Sequence, residues 1–351
     1  MMNGNILNRV SNVKIGFDFE SRFLWTSLAL IIILFVNRLI SPRFFDIHMV
    51  NGRLIGSLIN ILDGSAPLAL LAIGMTLVIA TKGIDLSVGA VMAISAAVAV
   101  TLINKHETGS TEIIHAPLVV IFIAIGVGAL CGLWNGILVA ILEIQPIIAT
   151  LILMVSGRGI AQMITKGQSP TFTNETLAYV GRGVVYGVPF PILLALAVLA
   201  IVYALVRWTA IGMLIESVGI NDTASYYSGI NAALIKLFVY IIAGMCAALA
   251  GLISAGEVKS ADPHTNGLWL ELDAILAVVI GGTALEGGRF YLGLSVMGVL
   301  IIQSLVTGLY VSDLHPTANL VVKALVILAV LLLQSPQFRR FITWPVRRVT
   351  R

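Results

Sequence analysis

Ala66-Pro-Leu-Ala-Leu-Leu-Ala-Ile-Gly-Met-Thr-Leu-Val-Ile-Ala80 runs into Thr81-Lys-Gly-Ile-Asp-Leu-Ser-Val-Gly-Ala90, and a second apolar run follows to residue 103. An uncharged run, a short polar break with glycine, and another uncharged run read as two helices in lipid. A span needs roughly 20 apolar residues to cross a hydrocarbon core about 30 Å thick, fewer where the helix is broken.

Outward from this pair the pattern recurs along the whole chain. Apolar runs lie near residues 23–40, 66–81, 87–103, 117–142, 147–165, 189–207, 234–254, 272–285, 291–310 and 319–334. Of the 351 residues, 58% are hydrophobic and 11% charged, and the mean hydropathy is +1.01. Soluble domains carry roughly a quarter charged residues and could not cover this much apolar surface. Lipid obliges every backbone amide to find an internal partner, and the alternating period of a barrel strand is absent. The predicted fold is therefore an all-α polytopic membrane protein with about ten transmembrane helices, some of them broken.

An even number of spans puts both ends on one side. With both termini cytoplasmic, the inner connections and ends hold twelve Lys and Arg against seven outside, with Arg158 and Lys323 inside spans. Three arginines after the first span (Arg38, Arg43, Arg53) depart from that trend. Residues 1–22 read as a cytoplasmic segment, 23–335 as the membrane domain and 336–351 as a basic cytoplasmic tail. The first run has no small-residue cleavage site and reads as a retained anchor. Cys131 and Cys246 sit in apolar spans and read as small packing residues with no redox or metal role.

Three kinds of segment stand out as candidates for function. The connection 208–235 contains a short predicted helix, Asp222 to Ser228, capped by Asn221 and stopped by Gly229. Such a helix could dock a soluble motor or be an ordinary interfacial connection. Two apolar segments are broken by glycine: Gly83 ends one helix, and Asp85 or Ser87 can cap the next. Glu271-Leu-Asp273 opens a run that ends at Gly281-Gly282. Non-helical backbone at membrane depth is tolerated where it is buried in protein or lines a cavity. Asp85 reads as a helix cap or a solute contact. Glu271 and Asp273 read as helix-dipole partners or as contacts for an extracellular partner.

Arg158, between Gly157 and Gly159, is a guanidinium inside an apolar span. It either lines a polar path or bonds carbonyls of a neighbouring element, and Gln162 lies one turn along the same face. Gly128, Gly132 and Gly136 repeat every four residues and predict a close packing seam, with Asn135 beside it to bond across. The segments 129–136 and 247–254 look alike, but the likeness is too short to establish a duplication.

The chain contains no G-x-x-x-x-G-K-[ST] loop, no H-E-x-x-H and no G-x-S-x-G. The chain therefore cannot hold a nucleotide in the P-loop manner, and the missing hydrolytic motifs weigh against an intramembrane enzyme. Nearly every acid lies at a span end or in a connection, which weighs against an ion-coupled carrier with buried midspan acids.

Four segments resemble the membrane permease subunits of bacterial ABC sugar importers of the ribose, arabinose and xylose type. They are Gly83-Ile-Asp-Leu-Ser-Val-Gly89, Gly132-Leu-Trp-Asn-Gly136, the stretch Glu216 to Ile230, and Leu272-Asp-Ala-Ile-Leu-Ala-Val-Val-Ile-Gly-Gly282. Within that family the chain is most similar to galactofuranose permeases, through residues 66–80, Ile144-Gln-Pro146, 149–154 and 267–273. The resemblance implies a bacterial inner-membrane importer made of several chains. An extracytoplasmic binding protein captures the sugar, and two permease subunits, alike or different, form the path. A cytoplasmic ATPase consumes ATP, so this chain needs no cofactor, no metal and no nucleic acid. It also implies that Glu216, Gly219, Gly229 and Ile230 couple to the ATPase. Asp85, Ser87, Arg158, Gln162, Gly281 and Gly282 are then expected in the path or its gates, and Glu271 and Asp273 at the binding-protein face. Relatives often carry basic residues in the middle of the coupling segment, where this chain has Asp222-Thr-Ala-Ser-Tyr-Tyr227. Other readings are a ribose or other pentose permease, a branched-chain amino acid or nucleoside permease, and an ion-coupled carrier.

Overall fold

The computed structural model describes residues 17–50, 52–109 and 112–311, with isolated helical positions at 321, 324, 325, 328 and 332. The predicted span at 319–334 and the tail 336–351 otherwise lie outside the described residues, as do residues 1–16. Among the described residues, eight helices are long and apolar enough to cross a membrane. They are α1 (Phe17–Ile40), α2 (Ser57–Ala80), α3 (Val88–Glu107), α4 (Pro117–Ala140), α5 (Pro146–Thr165), α7 (Phe190–Trp208), α10 (Ala232–Val258) and α12 (Leu292–Val311). Eight of the ten predicted runs are these helices.

Local chemistry sets several ends. Proline in the first turn of α4, α5 and α7 occupies a position where its missing N–H costs nothing. Asn231 caps α10 by accepting from Leu234 N at 3.1 Å. The helix α2 starts nine residues before the predicted run, since Asp63 in its second turn is paired with Arg53 at 2.8 Å.

The run at 272–285 differs from expectation. Its helix α11 (Leu270–Ile280) has 11 residues and ends where Gly282 takes φ 85°. At 1.5 Å per residue it is about 16 Å long, half of a span. The connection 208–235 is largely helical: α8 (Ile211–Ile220) precedes the predicted short helix, α9 (Asp222–Tyr227). Another short helix, α6 (Glu175–Arg182), packs on α10. Two small hairpins, β1 (His48–Val50) with β2 (Arg53–Ile55) and β3 (Val184–Val185) with β4 (Val188–Pro189), are joined where Leu54 N donates to Gly187 O at 2.9 Å.

The helices α2, α3 and α10 form the buried centre, with α4, α5, α7, α11 and α12 around them and α1 packed outside α12. Outer helices carry exposed large apolar side chains, such as Phe35 on α1, Phe122 on α4 and Ile201 on α7. That is the surface a bilayer covers. Between α4 and α10 the predicted glycine stripe is the contact. A Cβ on Gly128 would stand 2.5 Å from Ala248 Cβ, one on Gly132 would overlap the Tyr240 carbonyl oxygen, and one on Gly136 would be 3.0 Å from Leu237 Cα. Small residues let two backbones approach this closely, which is how helices gain packing energy in lipid.

Candidate functional site

The break after α2 is held by side chains from two other helices. The helix closes with Lys82 N donating to Ile79 O and Gly83 N to Val78 O, both at 2.9 Å, and Lys82 takes φ 62°. Asp85 is buried at 2% exposure, and its Oδ1 accepts from Ser87 N at 2.9 Å and Ser87 Oγ at 2.7 Å. Asn135 of α4 donates to Ser87 Oγ at 2.7 Å and reaches Asp85 Oδ1 at 3.4 Å. Thr150 of α5 accepts from Leu86 N at 3.2 Å and lies 3.1 Å from Ile84 O. Of the two candidate caps, Asp85 folds the entry turn of α3, while Ser87 is the N-cap residue without a capping bond from its side chain. Asn135 thus bonds to this break and not across the α4–α10 seam.

This break lies deep in the bundle. A Cβ on Gly157, in the middle of α5, would stand 3.1 Å from Ala90 Cβ in the first turn of α3. The start of α11 meets it there: a Cβ on Gly267 would be 2.5 Å from Gly89 O, and Gly267 takes φ 72°. Two helices therefore begin at one place inside the bundle. Unsatisfied amides and the dipoles of both N-termini favour negative charge there.

Glu271 answers that field. It is 1% exposed, and a Cβ on Gly89 would overlap its Oε2 and lie 3.3 Å from Arg158 Nη2. The Arg158 guanidinium donates through Nη1 to the Asn266 carbonyl. Gln162, one turn on, faces His264 Nδ1 at 3.3 Å. Arg158 and Gln162 of α5 thus hold the loop that leads into α11. Asp262 shapes that loop by accepting from His264 N at 2.9 Å and Thr265 Oγ1 at 2.6 Å, and the Thr265 bond holds its carboxyl below the usual range. Among the described residues, the buried Glu271 carboxylate has the backbone N–H groups of Trp269 and Glu271 and the Arg158 charge about it and no side-chain hydrogen bond, and Asn266 Oδ1 is buried without a hydrogen-bond partner. The Glu271 carboxylate and the Asn266 carbonyl thus lie close to one guanidinium, a buried polar cluster at the two helix starts.

The structure brings Asp85 and Ser87 together at one break, and Arg158, Glu271 and the Gln162–His264 contact at the adjoining one. Asp273 is half-buried on α11, and Gly281 packs against Leu294, where a Cβ would be 2.6 Å from its carbonyl carbon. Asn266 was missed by the sequence reading, and Gly89 was read only as part of the Gly83–Gly89 motif. Only their place in three dimensions marks them. No cluster of His, Cys, Asp and Glu able to hold a metal occurs among the described residues.

In the connection 208–235, Asn221 Oδ1 accepts from Ala224 N at 3.0 Å to start α9. Gly229, at φ 83°, ends it with Gly229 N donating to Tyr226 O and Ile230 N to Ser225 O, both at 3.0 Å. Lys236 pairs with Asp222. Tyr226 and Tyr227 are exposed, Gly219 is buried, and Glu216 is half-buried on α8.

Eight apolar helices long enough to cross a bilayer, packed about two interior helix starts, define a multi-pass membrane protein. The family described as "Branched-chain amino acid transport system / permease component" matches residues 57–331. The chain belongs to this family, whose members are permease components of ABC importers and not enzymes. It is 51% identical over 325 residues to the galactofuranose transporter permease protein YtfT of Escherichia coli K12, covering 91% of this chain and 93% of that one. It is 39% identical to the fructose import permease protein FruF of Bifidobacterium longum, with 91% and 89% covered. With the ribose import permease protein RbsC of Haemophilus influenzae it shares 38%, with 93% and 96% covered. No solved structure matches the chain.

Proposed function

We propose that this chain is one of two permease subunits of an ATP-driven importer, and that it passes a sugar of the galactofuranose type received from an extracytoplasmic binding protein. The observation that carries the reading is the 51% identity to a galactofuranose permease across nearly the full length of both chains. The site agrees chemically. A neutral sugar needs hydrogen-bonding groups and no counter-ion, and the interior helix starts hold a buried polar cluster about a guanidinium. Two different permeases pair in this reading. ATP is bound and hydrolysed by the partner ATPase alone.

In this mechanism ATP closure of the ATPase presses on α8 and α9 through Glu216, Gly219, Gly229 and Ile230. The helices then switch between outward and inward access. Asp85 and Ser87 keep the first break rigid, while Arg158, Gln162, Gly281 and Gly282 belong to the path and its gates. Burial of Glu271 favours placing it in the path with Arg158 rather than at the binding-protein face, which leaves Asp273 as the docking candidate.

The experiment is uptake of labelled galactofuranose into vesicles that hold this chain with its ATPase, second permease and binding protein. Ribose and a branched-chain amino acid serve as controls, with and without ATP inside. Uptake that needs both ATP and the binding protein supports the reading and names the solute. Uptake driven by an ion gradient without ATP would overturn it.

A further inference from the structure

Three chain segments from distant parts of the sequence meet backbone to backbone at the connection 208–235. Gly288 N donates to Ala80 O, the last carbonyl of α2, at 2.9 Å. A Cβ on Gly219 of α8 would overlap that same Ala80 O and stand 2.5 Å from Gly288 N. One on Gly287 would be 2.5 Å from Lys82 Cγ and 3.1 Å from Gly219 O. Across this junction Lys82 Nζ donates to Ile220 O, the final carbonyl of α8, at 2.9 Å.

Lys82 is the unexpected member. It occupies the left-handed position just past a helix end, φ 62°, which glycine takes by default. A lysine held there against its backbone preference places its ammonium on the carbonyl end of α8, where a cation is favoured. The neighbours matter as well. Residues 80–83 lead into the Asp85 turn and α3, residues 287–288 close the break that follows α11, and α8 passes through Asn221 into α9. Gly219 meets Ala80 O and Gly288 N with no side chain between them to absorb movement, while the Lys82 and Ile220 side chains pack against Gly287 and Gly288. A displacement of α8 is therefore delivered to both glycine breaks at once.

We propose that this three-way joint is where the stroke of the ATPase enters the membrane bundle. Gly219, Gly287 and Gly288 act as its positioning residues, and Lys82 is the tie that keeps α8 on the end of α2. The inference rests on the permease reading above and adds residues that the coupling segment itself does not contain.

The test uses the complete importer with binding protein in vesicles, measuring sugar taken up per ATP hydrolysed for Lys82→Met, Lys82→Gly, Lys82→Arg and Gly219→Ala. Uptake per ATP should fall roughly tenfold in Lys82→Met and Lys82→Gly, the weight of one hydrogen bond from a charged donor lost from the tie between α2 and α8. Lys82→Arg should stay within about twofold, because a guanidinium still donates to the carbonyl. A merely local role makes the opposite forecast for Lys82→Gly, which relieves the left-handed backbone and should then be stable and fully coupled. Gly219→Ala should lose coupling too. If it does not assemble, the exposed Lys82 decides alone. Wild-type coupling in both Lys82→Met and Lys82→Gly would overturn the joint. Absence of ATP-driven uptake in the unmodified importer would instead overturn the permease reading.

Discussion

Replacing Gly132 by alanine tests the glycine seam against an internal control, Gly126→Ala, on the same helix. A Cβ at 132 would overlap the Tyr240 carbonyl oxygen, stand 2.9 Å from its carbonyl carbon and lie 3.0 Å from Ile241 Cα. Ordinary contact begins at 3.4 Å. All three neighbours are backbone atoms of α10 and cannot rotate away. The two helices must separate by about 0.5 Å or more, and overpacking of this kind costs about 1–3 kcal/mol. Alanine returns roughly 0.8–1 kcal/mol through helix propensity at either site. At Gly126, where nothing lies within 4 Å of the added methyl, that gain stands unopposed. The gap between the two variants should then be about the full overpacking cost. At roughly 2 °C per kcal/mol for a chain larger than about 150 residues, that is on the order of 2–6 °C in Tm. Unfolding in detergent followed by tryptophan fluorescence reads this difference. Gly132→Ala should also lower uptake, because α4 carries Asn135 onto Ser87. Equal melting temperatures for the two variants would refute the close seam.

Other consequences are as specific. Arg158→Ala removes the donor to the buried Asn266 carbonyl and the cation near Glu271, and should destabilise the protein by about 1–3 kcal/mol. The double variant Arg158→Ala, Glu271→Gln should recover part of that, a non-additivity that thermal unfolding of the four proteins measures. Asp85→Ala removes the acceptor of the Ser87 bonds and should cost about 1–3 kcal/mol with loss of uptake, while Asp85→Asn keeps an acceptor and loses less, as paired melting and transport assays will show. Asn221→Ala uncaps α9 at about 1 kcal/mol and should reduce ATP-coupled uptake without changing the amount of protein in the membrane, measured by immunoblot beside transport. Glu216→Arg or Gly229→Pro should uncouple ATP hydrolysis from uptake. Intact coupling in both would remove the coupling segment from the mechanism.

Most of the helices were legible from hydropathy alone, because burial in lipid is a property of each segment by itself. The capped helix after Asn221 and the seam at Gly128, Gly132 and Gly136 were legible for a related reason, since capping and a four-residue repeat are local. Asn135 was assigned to the wrong partner: the sequence places it beside a seam, but its side chain reaches the break at Asp85 from a helix nearly fifty residues away. The glycine break at Gly281-Gly282 was legible too, but hydropathy ran on to residue 285 past it, whereas the helix stops at Ile280.

Taken alone, the sequence determined the solvent, the fold class, the breaks and the family resemblance, all of which depend on composition, period and short motifs. Tertiary structure decided which broken ends meet. Glu271 reads as an outer helix end in the sequence, yet it is buried beside Gly89 and Arg158 because the loop at 260–269 carries the start of α11 into the bundle. Lys82 reads as one more inner positive charge, yet it ties α2 to α8. Pairings across more than a hundred residues are set by how whole helices pack, and no local pattern encodes them.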